Sequence, residues 1–299
     1  MLIINRFSKI IPIVVVLFFT ACSKDDILVE TTNPVGAPII VAPVAPPTFA
    51  TDSTLIMGNP SSATTNPADF TNFLLREGYY SVSYNRERGI PNWVSWHTVS
   101  TDLGSVPRQD NFRANPNLPA GWYQVDNLSY SSSGFDRGHM CPSADRTSTI
   151  VANSSTFLMT NIIPQSPQNN QVTWAGLEDY CRSLVQGGNE LYIISGAYGE
   201  GGSTTNGGLQ TSINNGRVVV PAKLWKVIVV LSNGANDLNR VNSSTRVISV
   251  VMPNIETVNS DWRTYRNSVD FIEQETGNEL LSNVGTGIQN IIESRIDNQ

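Results

Sequence analysis

Histidine and cysteine are scarce in this chain, which contains two histidines and three cysteines among 299 residues. Zinc sites usually combine these residue types at short spacings, and here the five residues are scattered. The composition therefore argues against a structural zinc site. The chain also lacks a Gly-x-Ser-x-Gly motif around Ser195. Residues 192–196 are therefore better interpreted as a buried strand ending in a turn than as the nucleophile turn of a serine hydrolase.

Charged residues and long apolar runs are few as well. Only 15% of the residues are charged, which is low for a cytosolic protein and agrees with secretion. The apolar run at residues 10–19 is too short to span a membrane comfortably. Hydrophobic residues nevertheless make up 40% of the chain, which is enough for one sizeable core.

The most informative segment is DRGHM at residues 136–140, which places His139 among charged and small residues rather than in an apolar run. The unperturbed pKa of an imidazole lies near neutral pH, so His139 is a candidate general base. The other histidine, His97, lies in WVSWHTV at residues 93–99. Large apolar and small residues alternate there, which is typical of a half-buried strand and predicts a structural role for His97.

A second candidate segment is residues 169–182, where Asn170 precedes a predicted helix that carries Glu178 and Arg182. A spacing of four places an acid and a base on one face of a helix, so both side chains could project toward a site. The alternative is a surface ion pair that contributes only a few tenths of a kcal/mol.

Three segments of the chain are informative when they are considered together. These segments are DRGH at 136–139, NIIPQ at 161–165, and Asn170 with Glu178 and Arg182. They resemble the DNA/RNA non-specific endonuclease family, and further matches extend from about residue 54 to the C-terminal helix. The resemblance implies an α+β fold with a ββα-metal site and a central mixed or antiparallel sheet flanked by helices. It also implies a metal-dependent, sugar-non-specific endonuclease that hydrolyses phosphodiester bonds of DNA and RNA.

Phosphodiester hydrolysis requires an activated water and positive charge on the phosphate oxygens. The resemblance implies that His139 is the general base that deprotonates this water. It implies that Asn170 is the single protein ligand of Mg²⁺, with Mn²⁺ as an alternative, and Mg²⁺ favours oxygen ligands. Glu178 would hold the hydrated ion by accepting hydrogen bonds from its water. Arg182, one helical turn on, would contact the same phosphate.

The resemblance implies roles for four further site residues. Arg108 corresponds to an arginine that stabilises the transition state, although Arg113 lies close enough in sequence to be the alternative. Asp136 would orient the loop or the imidazole, and Arg137 would face a phosphate or a structural carboxylate. Asn161 would brace the loop through backbone hydrogen bonds.

Net charge is the property that disagrees with a nucleic-acid substrate. It is −6, and removal of an N-terminal signal with Arg6 and Lys9 leaves 17 basic and 25 acidic residues, a net charge of −8. Nucleic-acid-binding proteins usually show a basic surface, but a local positive groove with a metal is sufficient for catalysis. Two alternatives stay open: a binding protein that has lost turnover, and a phosphodiesterase for small substrates.

The N-terminus resembles a bacterial lipoprotein signal, because Arg6 and Lys9 precede the apolar run and small residues precede Cys22. We therefore expect a signal at residues 1–21, a membrane anchor through lipid on Cys22, and a location in the bacterial cell envelope at the outer membrane. The short acidic stretch at 23–26 resembles a signal for export to the outer surface. Residues 22–50, which are rich in Pro, Thr and Ala, predict an extended tether before a catalytic domain at 51–299.

Apolar and β-branched patterns predict the elements of that domain. Strands are expected at residues 79–84, 93–99, 191–195, 218–220, 225–231 and 247–252. Helices are expected at residues 68–75, 172–185 and 261–275. Cys141 and Cys181 both neighbour proposed site residues, which leaves a disulfide and two buried thiols as open alternatives.

Overall fold

The computed structural model of the protein describes residues 53–299. The predicted signal at 1–21, the anchor at Cys22 and the tether at 22–50 lie outside the described residues. Across 53–299, no helix combines the length and the apolar composition needed to cross a membrane.

The described residues form twelve strands and five α-helices. The strands are β1 (Phe73–Arg76), β2 (Ser81–Asn85), β3 (Ile90–Thr98), β4 (Asp136–His139), β5 (Ile162–Gln165), β6 (Asn189–Tyr198), β7 (Gly202–Ser203), β8 (Leu209–Gln210), β9 (Ser212–Ile213), β10 (Val218–Val219), β11 (Lys223–Ser232) and β12 (Arg246–Pro253). The helices are α1 (Ile150–Ser155), α2 (Ala175–Gln186), α3 (Asp237–Arg240), α4 (Val269–Thr276) and α5 (Thr286–Ile292). A π-helical segment, Asn169–Trp174, leads into α2, and a 3₁₀ turn, Ser143–Asp145, follows β4 and is called the post-β4 turn below.

Six strands form one sheet in the order β1-β2-β3-β6-β11-β12, and every neighbouring pair is antiparallel. At its centre, Ile228 of β11 lies between Ile193 of β6 and Ile248 of β12. The predicted α+β fold is therefore confirmed, and the sheet, expected as mixed or antiparallel, is antiparallel.

Both faces of this sheet are covered, because successive side chains of a strand point to opposite faces and enter two apolar cores. On β11, Ile228 belongs to the core that also contains Leu177 and Cys181 of α2, called the α2-side core. Trp225 belongs to the core that contains Ile272 of α4, called the α4-side core. The sheet thus separates the α2 surface from the C-terminal helices.

All six predicted strands are present, as β2, β3, β6, β10, β11 and β12, with ends that differ from the prediction by at most three residues. The helix predicted at 68–75 is wrong, because residues 73–76 form β1. Phe73 and Leu75 enter the α2-side core, whereas Leu74 enters the α4-side core. This alternation is that of a strand, and the pairing of Phe73 with Tyr84 of β2 fixes it.

The helix predicted at 172–185 is confirmed as α2 with its π-helical start, whereas the helix predicted at 261–275 is interrupted. Trp262 lies in a 3₁₀ turn and packs in the α2-side core. Val269 and Ile272 of α4 pack in the α4-side core. One continuous helix cannot direct these apolar side chains to both faces of the sheet, so the helix is interrupted between Trp262 and Val269.

Three further residues, His97 and the two described cysteines, have structural positions. His97 on β3 bonds through Nε2 to the Glu190 carboxylate at 2.9 Å and stacks on Tyr192, which confirms its structural role. Cys141 and Cys181 are free and buried, so of the two alternatives the structure has the pair of buried thiols. Burial raises the pKa of both thiols well above the ordinary range, which disfavours a reactive thiolate.

Candidate active site

The DRGH motif forms β4, which pairs antiparallel with β5 and is followed by the π-helical segment and α2. Its glycine is required by a close approach, since a Cβ on Gly138 would lie 2.1 Å from Gln165 Oε1. Gln165 Nε2 in turn donates to Asn169 Oδ1 at 2.7 Å. The glycine therefore allows the strand pair to close onto the helical segment, and π-helical turns are frequent at functional sites.

His139 lies in an aromatic pocket and is 8% exposed. Its ring centroid is 5.3 Å from that of Phe112 and 4.9 Å from that of Phe157. Its Nε2 is buried and has no hydrogen-bond partner among the described residues. Burial, together with the positive charges of Arg108 and Arg137, lowers the pKa of His139 to about 3. The imidazole is therefore neutral near pH 7, and in this environment it is a weaker base than a free imidazole.

This depressed pKa predicts the pH dependence of cleavage. The folded enzyme keeps His139 neutral well below its ordinary pKa of 6.5, so kcat/KM should show no decline centred near pH 6.5. The lowered pKa of His139 also makes the stability of the fold depend on pH. The unfolded chain binds a proton on this residue below pH 6.5 and the folded chain does not, so stability is lost as pH falls through that value. The measurement is kcat/KM from pH 4.5 to 8 at saturating metal. An acid limb near pH 6.5 would contradict the assigned environment.

The geometry favours Arg108 over Arg113 as the arginine beside the imidazole. The guanidinium carbon of Arg108 lies 4.8 Å from the Phe157 ring centroid, and its charge acts directly on His139. The guanidinium of Arg113 instead donates to the Ser154 carbonyl at 2.8 Å. Arg108 is half-exposed, with a side-chain exposure of 52%, and it pairs at 3.4 Å with the exposed Asp110, so an anion can still reach the guanidinium.

Arg137 is exposed and lies on the same side of β4 as His139, two residues away. Its guanidinium carbon stacks 4.3 Å from the Phe112 ring centroid. It forms no ion pair with a carboxylate within residues 53–299, so the structural-carboxylate alternative has no support. Arg108 and Arg137 therefore make the surface around the imidazole positive.

Asp136 orients the helical segment rather than the imidazole. Its Oδ2 accepts hydrogen bonds from Asn170 Nδ2 and Gln171 Nε2, both at 2.8 Å. The first of these bonds fixes the side-chain amide of Asn170. The Oδ1 of Asn170 accepts no hydrogen bond from the residues that the structure describes. An amide oxygen held in this way suits a hard divalent cation, so the residues present fit the expected metal.

Glu178 has a partner that sequence reasoning missed. Its Oε1 accepts from Lys226 Nζ at 3.4 Å, and the lysine side chain is 1% exposed. The ammonium also lies 4.2 Å from the Trp174 ring and 5.5 Å from the Trp96 ring. Burial raises the pKa of the Glu178 carboxyl, and the charge of Lys226 opposes that rise. The available signal was a single lysine inside the apolar strand predicted at 225–231.

Arg182 connects α2 to the post-β4 turn. Its Nη1 donates to Asp145 Oδ1 at 3.0 Å, and its Nη2 donates to the exposed Asp179. Arg108 reaches the same turn, because its Nη1 donates to Ser143 Oγ at 2.9 Å. Ser143 and Asp145 were not identified from the sequence, since neither belongs to a motif. This turn links two of the predicted site arginines.

Glu178 and Arg182 both lie on the inner side of α2, as their spacing predicts. Their side chains are 14% and 17% exposed, and they bind different partners rather than each other. The surface-ion-pair interpretation is therefore wrong.

Asn161 braces the site, which confirms its predicted role. Its Oδ1 accepts from the Cys141 N–H at 2.9 Å, and its Nδ2 donates to the carbonyls of Cys141 and Thr156. These bonds hold the entry of β5 against the chain that leaves β4. They are buried, so the backbone around His139 is fixed.

This geometry agrees with the comparisons to known proteins. The family model for DNA/RNA non-specific endonucleases matches residues 57–286, which is most of the chain. The chain belongs to the DNA/RNA non-specific endonuclease family. The protein is therefore a hydrolytic endonuclease that acts on DNA and RNA, in a family whose members depend on a divalent metal. The binding-protein and small-substrate alternatives are not favoured.

Named relatives of this endonuclease are also nucleases. It is 48% identical over 244 residues to a nuclease from Nostoc sp., covering 82% of this chain and 86% of the relative. It is 33% identical over 202 residues to the mitochondrial nuclease EXOG of Danio rerio, covering 66% of this chain and 57% of that protein. The crystal structure of an EndoG/EndoGI complex matches with a TM-score of 0.64 at 21% identity, covering 80% of this chain and 95% of the other. That structural match supports the ββα-metal fold.

Proposed function

We propose that this endonuclease cleaves DNA and RNA with Mg²⁺ at the β4–β5–α2 site and with His139 as the general base. The observation that carries the proposal is the neutral imidazole, whose buried Nε2 has no partner and which lies beside two arginines. The neighbouring positive charges attract the phosphate, and the negative charge of a bound phosphate would in turn raise the basicity of the neutral imidazole toward water.

Asn170 would hold the metal through Oδ1, because Asp136 fixes the other end of its amide. Mg²⁺ bound there supplies positive charge to the phosphate and to the departing oxygen. A neutral amide ligand leaves that charge undiminished, and Mn²⁺ accepts the same kind of ligand.

Four side chains would complete the site. Arg108 and Arg137 donate to phosphate oxygens, since both face the surface around His139 and neither is held by a buried carboxylate. Glu178 would keep the hydrated ion in place, with Lys226 as its positioning residue. Arg182 would face the phosphate from α2, with Asp145 fixing its guanidinium and leaving further N–H groups to donate.

We also propose that lipid on Cys22 attaches the enzyme to the bacterial outer membrane, with the domain on its surface. The support is the sequence pattern around Cys22 and the low content of charged residues. Fatty-acid labelling of cells that express the protein or its Cys22→Ser variant tests this location. Label that persists in the variant would reject the anchor.

The experiment that tests the metal site compares Asn170→Ala with Asn170→Asp. Cleavage of plasmid and RNA is expected to stop in EDTA and to resume on addition of Mg²⁺. The alanine variant should lose about 10–100-fold or more at limiting Mg²⁺, whereas the aspartate variant, which keeps an oxygen ligand, should lose less. Cleavage that is unaffected by EDTA would reject the metal, and equal activity of all three proteins would reject Asn170 as its ligand.

A further inference from the structure

A cluster of carboxylates lies where α4 meets the end of α5. Ligand oxygens of Asp270, Glu273 and Glu293 all lie within 4.8 Å of one another. Asp270 and Glu273 are three residues apart on α4 and therefore share one helical face. Glu293 follows directly after α5, and its main-chain carbonyl accepts the N–H groups of Val269 and Asp270 at 2.9 and 3.2 Å. The backbone thus already holds the third carboxylate against the first two.

Glu293 is the unusual member of this cluster. It is only 5% exposed, and its Oε1 is buried without any hydrogen-bond partner among the described residues. Gln289, one turn earlier, donates to Glu279 and to the Leu281 carbonyl, and its amide also lowers the pKa of the Glu293 carboxyl, but it does not satisfy Oε1. A buried carboxylate oxygen without a partner is costly, and it lies beside two further carboxylates.

No basic side chain offsets this charge, since the described residues form no ion pair with Asp270, Glu273 or Glu293. Burial, followed by the charges of Glu273 and the nearby acids, raises the pKa of Glu293 to about 8. The cluster therefore requires a positive partner, either a proton or a metal ion.

A second acidic group provides a contrast. His97, Glu190 and Asp237 also bring ligand atoms within 4.8 Å of one another. There Arg240 donates to both carboxylates and Tyr192 donates to Asp237, so the protein supplies the positive charge itself. The α4–α5 cluster has no such arginine.

We propose that Asp270, Glu273 and Glu293 bind one divalent cation of the calcium class, which joins α4 to the end of α5. All donors are carboxylate oxygens, which suit a hard cation better than zinc or copper, whose sites draw mostly on nitrogen and sulfur. Ca²⁺ accepts six to eight oxygens in irregular geometry and bidentate carboxylates, whereas Mg²⁺ demands a near-ideal octahedron and keeps its water.

This cation site is separate from the catalytic site. Val269 and Ile272 direct the inner face of α4 into the α4-side core, whereas α2 covers the opposite face of the sheet. The cation is therefore expected to stabilise the C-terminal helices without taking part in cleavage.

The test is thermal unfolding of the full chain in EDTA and in Ca²⁺, with Glu293→Gln as the variant. At about 100 times the dissociation constant, Ca²⁺ should raise the Tm of the natural protein by about 5 °C. The glutamine variant should show no such rise. In EDTA it should be at least as stable as the natural protein, because a neutral amide does not bear the cost of a carboxyl group buried beside two further carboxylates. Equal Ca²⁺ shifts in both proteins, or none in the natural protein, would overturn the proposal.

Controls separate this site from the catalytic one. Glu87→Gln removes one exposed negative charge outside the cluster and should retain the full Ca²⁺ shift. Asn170→Ala should also retain it. A shift that disappears in Asn170→Ala but persists in Glu293→Gln would mean that Ca²⁺ binds only the catalytic site, which overturns this inference and leaves the proposed function intact. If Glu293→Gln does not fold, Asp270→Asn, at an exposed position, replaces it in the same comparison.

Discussion

Replacing His139 with alanine is expected to lower kcat/KM for plasmid and RNA cleavage by about 10³-fold, within the range for loss of a general base. The imidazole is neutral near pH 7, and its buried Nε2 has no partner in the described part of the chain. The other histidine cannot substitute for it, because His97 is bound to Glu190 on the central sheet. Initial rates at saturating Mg²⁺ measure the loss.

The matched control is His97→Gln, which removes the second imidazole and keeps a hydrogen-bond donor toward Glu190. Its kcat/KM is expected to stay within about threefold of the natural enzyme, because it lies outside the site. Thermal unfolding of both variants distinguishes lost chemistry from lost structure. A folded His139→Ala protein that kept about a tenth of the activity or more would remove His139 from the role of base.

Long elements could be predicted from the sequence because their patterns are long. β6 and β11 each span ten residues, and α2 places Leu177, Cys181 and Val185 on one buried face. β1, β4 and β5 have only four residues each, so their alternation is too short to recognise. In β1 the tertiary pairing with β2 decides the conformation, against a sequence that also fits a helix.

The site residues also differ in whether the sequence could identify them. His139 and Asn170 belong to motifs, so family resemblance could identify them. Lys226 and Asp145 belong to none, and their importance follows from contacts across 48 and 37 residues of sequence, to Glu178 and Arg182 respectively. Sequence patterns report local spacing, whereas these ion pairs depend on how α2 docks on the sheet. Only the lysine left a trace, as a charge within an apolar strand.

Replacing Lys226 with methionine is expected to have the second large effect. The lysine is 1% exposed, pairs with Glu178, and lies 4.2 Å from the Trp174 ring. Its loss leaves a buried carboxylate without its hydrogen-bonded counter-charge, with only the weaker effect of Arg182, which costs about 3–5 kcal/mol of unfolding free energy. The pKa of Glu178 would rise further, because Lys226 lowers it in the natural protein. A protonated Glu178 is a poorer acceptor, so kcat should fall about 10–100-fold.

A double variant distinguishes positioning from packing. Adding Glu178→Gln to Lys226→Met removes the stranded charge, so urea unfolding should recover much of the lost stability, because apolar or neutral replacements of both partners are tolerated better than one. Cleavage should stay low, since the carboxylate itself is needed. Lys223→Met is the control on the same strand, because Lys223 is half-buried, forms no ion pair within residues 53–299 and faces the other side of the sheet. If the single Lys226 variant cleaves at the natural rate well below its Tm, the lysine serves stability alone; if the double variant recovers cleavage with stability, Glu178 is not required for catalysis.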